Sequence, residues 1–167
     1  MRRGVRVGVD VGSVRVGIAI CDPDGLIATP EATFARDAGG GTDLRGVLDL
    51  VDERGAIEVV VGLPRSLSGD EGAAAQAARD WAAGLLRLRP GIAVRLVDER
   101  LTTVGAHRAM REAGVSTRRS KSVIDSQAAA MILQVALDTE RATGAPAGSA
   151  VGGRKPRHRS GRRTEGH

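Results

Sequence analysis

The chain has 167 residues, a net charge of +5, one cysteine and two aromatic side chains, Phe34 and Trp81. A length of this order suits one domain that buries most of its apolar surface without cross-links. Cys21 alone excludes a disulfide framework or a thiolate zinc site, and His107, His158 and His167 are too scattered for an imidazole cluster. The scarcity of aromatics argues against a binder that stacks bases on an aromatic platform. No apolar run reaches signal-peptide or membrane-span length, so the expectation is a cytoplasmic protein with no membrane partner.

Taken in chain order, Val5, Val7 and Val9 alternate with Arg6, Gly8 and Asp10, the period of a strand with Asp10 on the face opposite the valines. Gly12 and Gly17 bracket a turn. Residues 16–21 read as a second strand, Asp22-Pro23-Asp24-Gly25 as a turn, and residues 26–34 as a third strand of an antiparallel meander. After Gly39-Gly40-Gly41, Thr42 is the expected N-cap of a helix whose apolar face is Leu44, Val47, Leu48 and Val51, ending near Gly55. Residues 57–61 are wholly apolar apart from Glu58, as suits a strand covered on both faces, and an alanine-rich helix follows over 72–88.

Residues 92–97 form the expected fifth strand. Thr102 or Thr103 caps a helix running to Gly114, residues 115–121 read as a mobile basic loop, and a last helix spans 122–141. The order βββαβαβαα gives an α/β fold: a mixed five-stranded sheet, three antiparallel strands plus two parallel ones reached by crossovers, with helices on its faces. Residues 1–150 carry 19 basic and 19 acidic residues, whereas 151–167 carry six basic residues against Glu165. The expected division is a domain over 1–143 and a disordered basic tail over 144–167, fit either to hold phosphates or merely to solubilise.

Three acidic positions stand out: Asp10 at the end of strand one, Asp98-Glu99 at the end of strand five, and Asp125 in the last helix beside the apolar face of Ala128, Ala129, Met131, Ile132 and Val135. Carboxylates gathered from two strand ends and a helix repel one another unless a divalent cation neutralises them. Paired oxygen-ligated metals are the usual means of cleaving phosphodiesters. Each acid also has an ordinary account: strand-end turn, helix-dipole partner or helix first turn. Asp70 and Glu71, in the loop after Gly62-Leu63-Pro64, are explained at least as well by the start of the following helix.

Together, Asp10-Val11-Gly12 with Arg15-Val16-Gly17, Gly62-Leu63-Pro64 with Gly69-Asp70-Glu71-Gly72, Asp98-Glu99-Arg100-Leu101-Thr102, and Lys121 with Asp125, Ala128 and Ala129 resemble the YqgF/RuvX family. That family belongs to the RNase H-like superfamily and is described both as Holliday junction resolvases and as nucleases that mature the precursor of 16S ribosomal RNA. The resemblance covers residues 5–137. It implies an RNase H-like fold, a metal-dependent endonuclease activity with Mg²⁺ or Mn²⁺, and Asp10, Glu99 and Asp125 as catalytic, metal-binding acids. Many relatives carry an acid at the end of strand four where this chain has Gly62-Leu63-Pro64; Glu99 is the expected replacement, with Asp98 and Glu71 as substitutes.

The basic positions Arg15, Arg100, Arg118, Arg119 and Lys121 flank these acids and are the expected phosphate contacts. The preferred substrate is pre-16S rRNA, cut by a monomer or a weak, substrate-induced homodimer; the alternative is a four-way DNA junction. Two rivals belong to other classes. Residues 37–42, Asp-Ala-Gly-Gly-Gly-Thr, resemble a phosphate motif of actin-like ATPases and sugar kinases, but the chain is too short for the two facing domains those enzymes need. A non-catalytic ribosome-assembly factor on the same fold would not need all three acids.

Overall fold

A computed structural model describes residues 1–66, 68–101 and 118–152. The elements are β1 (Arg6–Val11), β2 (Arg15–Cys21), β3 (Ala28–Ala35), α1 (Thr42–Arg54), β4 (Glu58–Leu63), α2 (Ala73–Leu88), β5 (Val94–Asp98), a 3₁₀ turn (Glu99–Leu101), α3 (Arg118–Thr143) and β6 (Ser149–Ala150). The helix expected from Thr102 or Thr103 to Gly114 lies outside the described residues. The sheet order is β3-β2-β1-β4-β5-β6. β1 pairs antiparallel with β2 and parallel with β4, and β5 continues the parallel half.

The two faces of this sheet are built from different materials. Val7, Val9, Val16, Ile18, Val59 and Val61 point toward α1 and α2, where Val47, Leu48, Trp81 and Leu85 complete a core of branched side chains. The other face carries Gly8, Gly17, Ala19, Cys21 and Gly62, and α3 lies against it through Ala128, Ala129, Ile132 and Leu133. Small residues let the helix approach closely. A Cβ at Gly8 would stand 2.8 Å from the Ala129 carbonyl oxygen and 2.7 Å from Leu133 Cβ, and one at Gly17 would collide with the Asp125 backbone carbonyl. At the far end, Arg6 and Glu140, both buried, pair at 2.9 Å, and Arg2 bonds to both Glu140 and Glu58. This ionic knot fastens the carboxyl end of α3 to β1 and β4.

Three details differ from the sequence reading. Thr42 does not cap α1: the cap is Gly41 in the left-handed conformation, and Thr42 is the first helical residue, its hydroxyl donating to Asp37 at 2.7 Å. Asp37 also accepts the Gly40 and Thr42 N–H groups, so the apparent phosphate loop is filled by its own carboxylate. α3 starts at Arg118, because Arg-Arg-Ser-Lys is ordinary helix-forming sequence and needs no break before Ser122. Residues 118–121 are therefore its first turn rather than a loop, while residues 115–117 lie outside the described residues.

Finally, the sheet has six strands. Residues 144–152, expected in the tail, return to the β5 edge: Ser149 and Ala150 pair antiparallel with Leu96 and Arg95, and the Val151 N–H donates to the Val94 carbonyl at 2.9 Å. Arg95 anchors the approach by donating to the Ala147 and Gly148 carbonyls. Gly148 sits at φ +70°, pressed against the Leu96 carbonyl where no side chain fits. Residues 153–167, with all six basic side chains of the tail, lie outside the described residues.

Candidate active site

Asp10 is the fifth residue of β1, on the α3 side, 1 % exposed. Its cross-strand partner is Gly17, the residue over which the backbone of Asp125 and Ser126 passes. Strand alternation and this missing side chain therefore bring the Asp10 and Asp125 segments together. Asp125 is the eighth residue of α3 and 1 % exposed, too far into the helix to act as a first-turn dipole partner. Arg15, at the start of β2, donates Nε–H to Asp125 Oδ2 at 2.7 Å.

Glu99 follows β5 directly and is buried. Its carboxylate folds back over the end of β4: Oε1 stands 2.6 Å from where a Cβ of Gly62 would be, and Ile132 of α3 occupies the same opening. Val9 pairs with Val61 across β1 and β4, so Gly62 is the β4 residue beside Asp10. The missing acid at the end of β4 thus has a steric explanation. A side chain at Gly62 would have to displace Glu99 and Ile132, and the carboxylate there comes from Glu99.

The substitutes for Glu99 are engaged elsewhere. Asp98 is gripped by Arg100 through its backbone N–H, Nε and Nη2, and that guanidinium, with Arg65 behind it, holds the carboxyl below the ordinary aspartate range. Glu71 accepts from Arg79 at 2.6 and 2.9 Å and is likewise lowered, chiefly by Arg79. Arg100, expected on phosphate, is turned to Asp98. Lys121 lies in the first turn of α3, partly buried; the side chains of Arg118 and Arg119 lie outside the described residues. The sequence reading missed two basic residues. Arg65 sits between Glu71 and Asp98, at 3.4 and 3.8 Å. Arg36 donates from Nη1 to the Gly12 carbonyl at 2.8 Å and so secures the β1–β2 turn. Neither carries a local sequence signal, since both contacts depend on the tertiary fold.

Among the described residues no three acidic, imidazole or thiol side chains form a ready-made metal cage. The chemistry of Asp10, Glu99 and Asp125 nevertheless fits a hard divalent cation, being all carboxylate oxygen. A cationic group, the Arg15 guanidinium, already rests on one of the three.

A mixed sheet of three antiparallel and two parallel strands, flanked by helices, is the architecture of the RNase H-like class. The fold matches that of Thermus thermophilus RuvC, solved in complex with a Holliday junction substrate, with a TM-score of 0.53, covering 89 % of this chain and 99 % of that one at 15 % identity. Residues 4–139 match the family model described as RuvX, Holliday junction resolvase, and the chain belongs to that family of phosphodiester-cleaving enzymes. A protein of Kineococcus radiotolerans named "Putative pre-16S rRNA nuclease" is 50 % identical over 166 residues, which is 99 % of this chain and 88 % of that protein. A Streptomyces avermitilis protein of the same name is 49 % identical, with 90 % of this chain and 96 % of its own covered.

Proposed function

We propose that this chain is a Mg²⁺- or Mn²⁺-dependent nuclease that matures pre-16S rRNA in the cytoplasm, with Asp10, Glu99 and Asp125 as its catalytic acids. The observation that supports this reading is the placement of three buried acids about two glycines: the Asp125 backbone crosses Gly17, the cross-strand partner of Asp10, and the Glu99 carboxylate lies over Gly62. When bound, the metal activates the attacking water and stabilises the leaving oxygen. Asp10, Glu99 and Asp125 would hold the cation, Glu99 supplying the carboxylate that Gly62 cannot. Lys121, with Arg15, Arg118 and Arg119, would hold the phosphates on either side of the scissile bond. The named relatives favour the RNA substrate; no helix among the described residues is long and apolar enough to cross a membrane.

A four-way DNA junction is the second reading, favoured by the description of the family model. The two separate in one experiment, in which purified protein meets a precursor rRNA end and a four-way junction in the same Mg²⁺ buffer. Cleavage of the RNA at one site, with the junction intact, is expected. Paired symmetric nicks in the junction, made by a stable dimer that leaves the RNA untouched, would replace the RNA reading by the resolvase one.

A further inference from the structure

We propose that Arg15 is a built-in competitor of the metal: its guanidinium holds Asp125 and must leave when a divalent cation arrives. This rests on the metal-centre reading above and adds a positioning residue to it. The ion pair joins a fixed partner to a movable one. Asp125 belongs to a helix whose backbone is seated on Gly17 and cannot shift without losing that contact, whereas the Arg15 side chain is 27 % exposed and reaches inward from the rim.

The backbone of Arg15 is itself held. Its carbonyl accepts the Gly12 N–H at 2.9 Å, and the neighbouring Val14 carbonyl accepts the Arg36 N–H at 2.8 Å. Only the side chain has room to move. A guanidinium and a divalent ion on one carboxylate repel each other strongly in a buried setting, so occupancy by one weakens the other. The Asp125 charge is accordingly offset by arginine, and the released guanidinium would face the rim, where a substrate phosphate would approach. Loading of metal and readiness for substrate become one event.

The test is Mn²⁺ binding to the full-length, metal-stripped protein, followed by electron paramagnetic resonance of the free ion, together with thermal unfolding in the absence of metal. Arg15→Gln is expected to bind Mn²⁺ about tenfold more tightly, equivalent to about 1.4 kcal/mol, and to melt at a lower temperature than wild type until Mn²⁺ is added. Arg15→Lys, which keeps the charge, should lie between them. Equal or weaker Mn²⁺ binding by both variants would overturn the competition. Asp10→Asn separates this from the underlying reading. If Asp10→Asn abolishes Mn²⁺ binding while the Arg15 variants match wild type, competition alone fails; if Asp10→Asn binds Mn²⁺ as wild type does, the metal centre fails and competition with it.

Discussion

Glu99 and Gly62 share one position on the sheet: the carboxylate of the first occupies the space that a side chain on the second would need. Gly62→Ala should therefore act on the site more than on the fold. Its new methyl meets the far ends of two flexible side chains, Glu99 and Ile132, which can move, so a loss of about 1 kcal/mol is expected alongside a large fall in cleavage. At Gly17 the obstacle is the α3 backbone, and Gly17→Ala should cost about 3 kcal/mol or more. Urea unfolding and nuclease rates measured on both variants would check this; comparable destabilisation by the two would refute it.

Asp10→Asn is expected to abolish Mg²⁺-dependent cleavage without weakening the fold, because it removes one of several carboxylates crowded beneath α3. Single-turnover cleavage and a thermal melt test the two halves. Full activity in Mg²⁺ would remove Asp10 from the catalytic set.

Lys121 now belongs to a helix, which presents its charge from a fixed place near Asp125. Lys121→Ala should reduce the slope of log affinity against log salt by about 0.7 for a single-stranded or 0.9 for a double-stranded substrate. An unchanged slope and affinity would mark it as an ordinary solvated residue.

The knot of Arg2, Arg6, Glu58 and Glu140 gives a stability prediction away from the site. Hydrogen bonding from Arg2, with added attraction from Arg6, holds the Glu140 carboxyl below the ordinary glutamate range. A depressed folded-state pKa contributes stability above the unfolded value, and that contribution is lost as pH falls through the folded value. Urea midpoints should therefore drop on acidification below about pH 4. Glu140→Gln should lose about 3 kcal/mol at pH 7, since it leaves Arg6 buried beside a neutral group, and should show a weaker acid dependence than wild type.

Much of the fold can be read from local pattern. The alternation of Val5 to Asp10, the turn at Asp22, whose carboxylate accepts the N–H groups of Asp24, Leu26 and Ile27, and the apolar face of α1 each follow from neighbouring residues. β6 escaped because two exposed residues have no periodicity; its place is set by Arg95 and Gly148, over fifty residues apart in the chain. The start of α3 was misjudged because basic residues suit a loop and a helix equally. At the candidate site, the burial of Asp10, Glu99 and Asp125 and the pairing of Arg15 with Asp125 across 110 residues depend on the tertiary fold and leave no local signal. The role of Gly62 was hidden too, since a glycine in a strand records only that something comes close, not what.

The contrast between the two faces of the sheet also sets where this protein can change. Beneath α1 and α2, valine, isoleucine and leucine can exchange volume with one another, and drift or redesign can repack that layer piece by piece. Beneath α3 the room is uneven: Val60 and Val97 can exchange volume with their neighbours, but at Gly8, Gly17 and Gly62 the smallest possible residue is already in place and every substitution is an addition. Engineering for stability has its freedom on the first face. The second is bound at those three glycines, where α3 or the Glu99 side chain presses on the sheet.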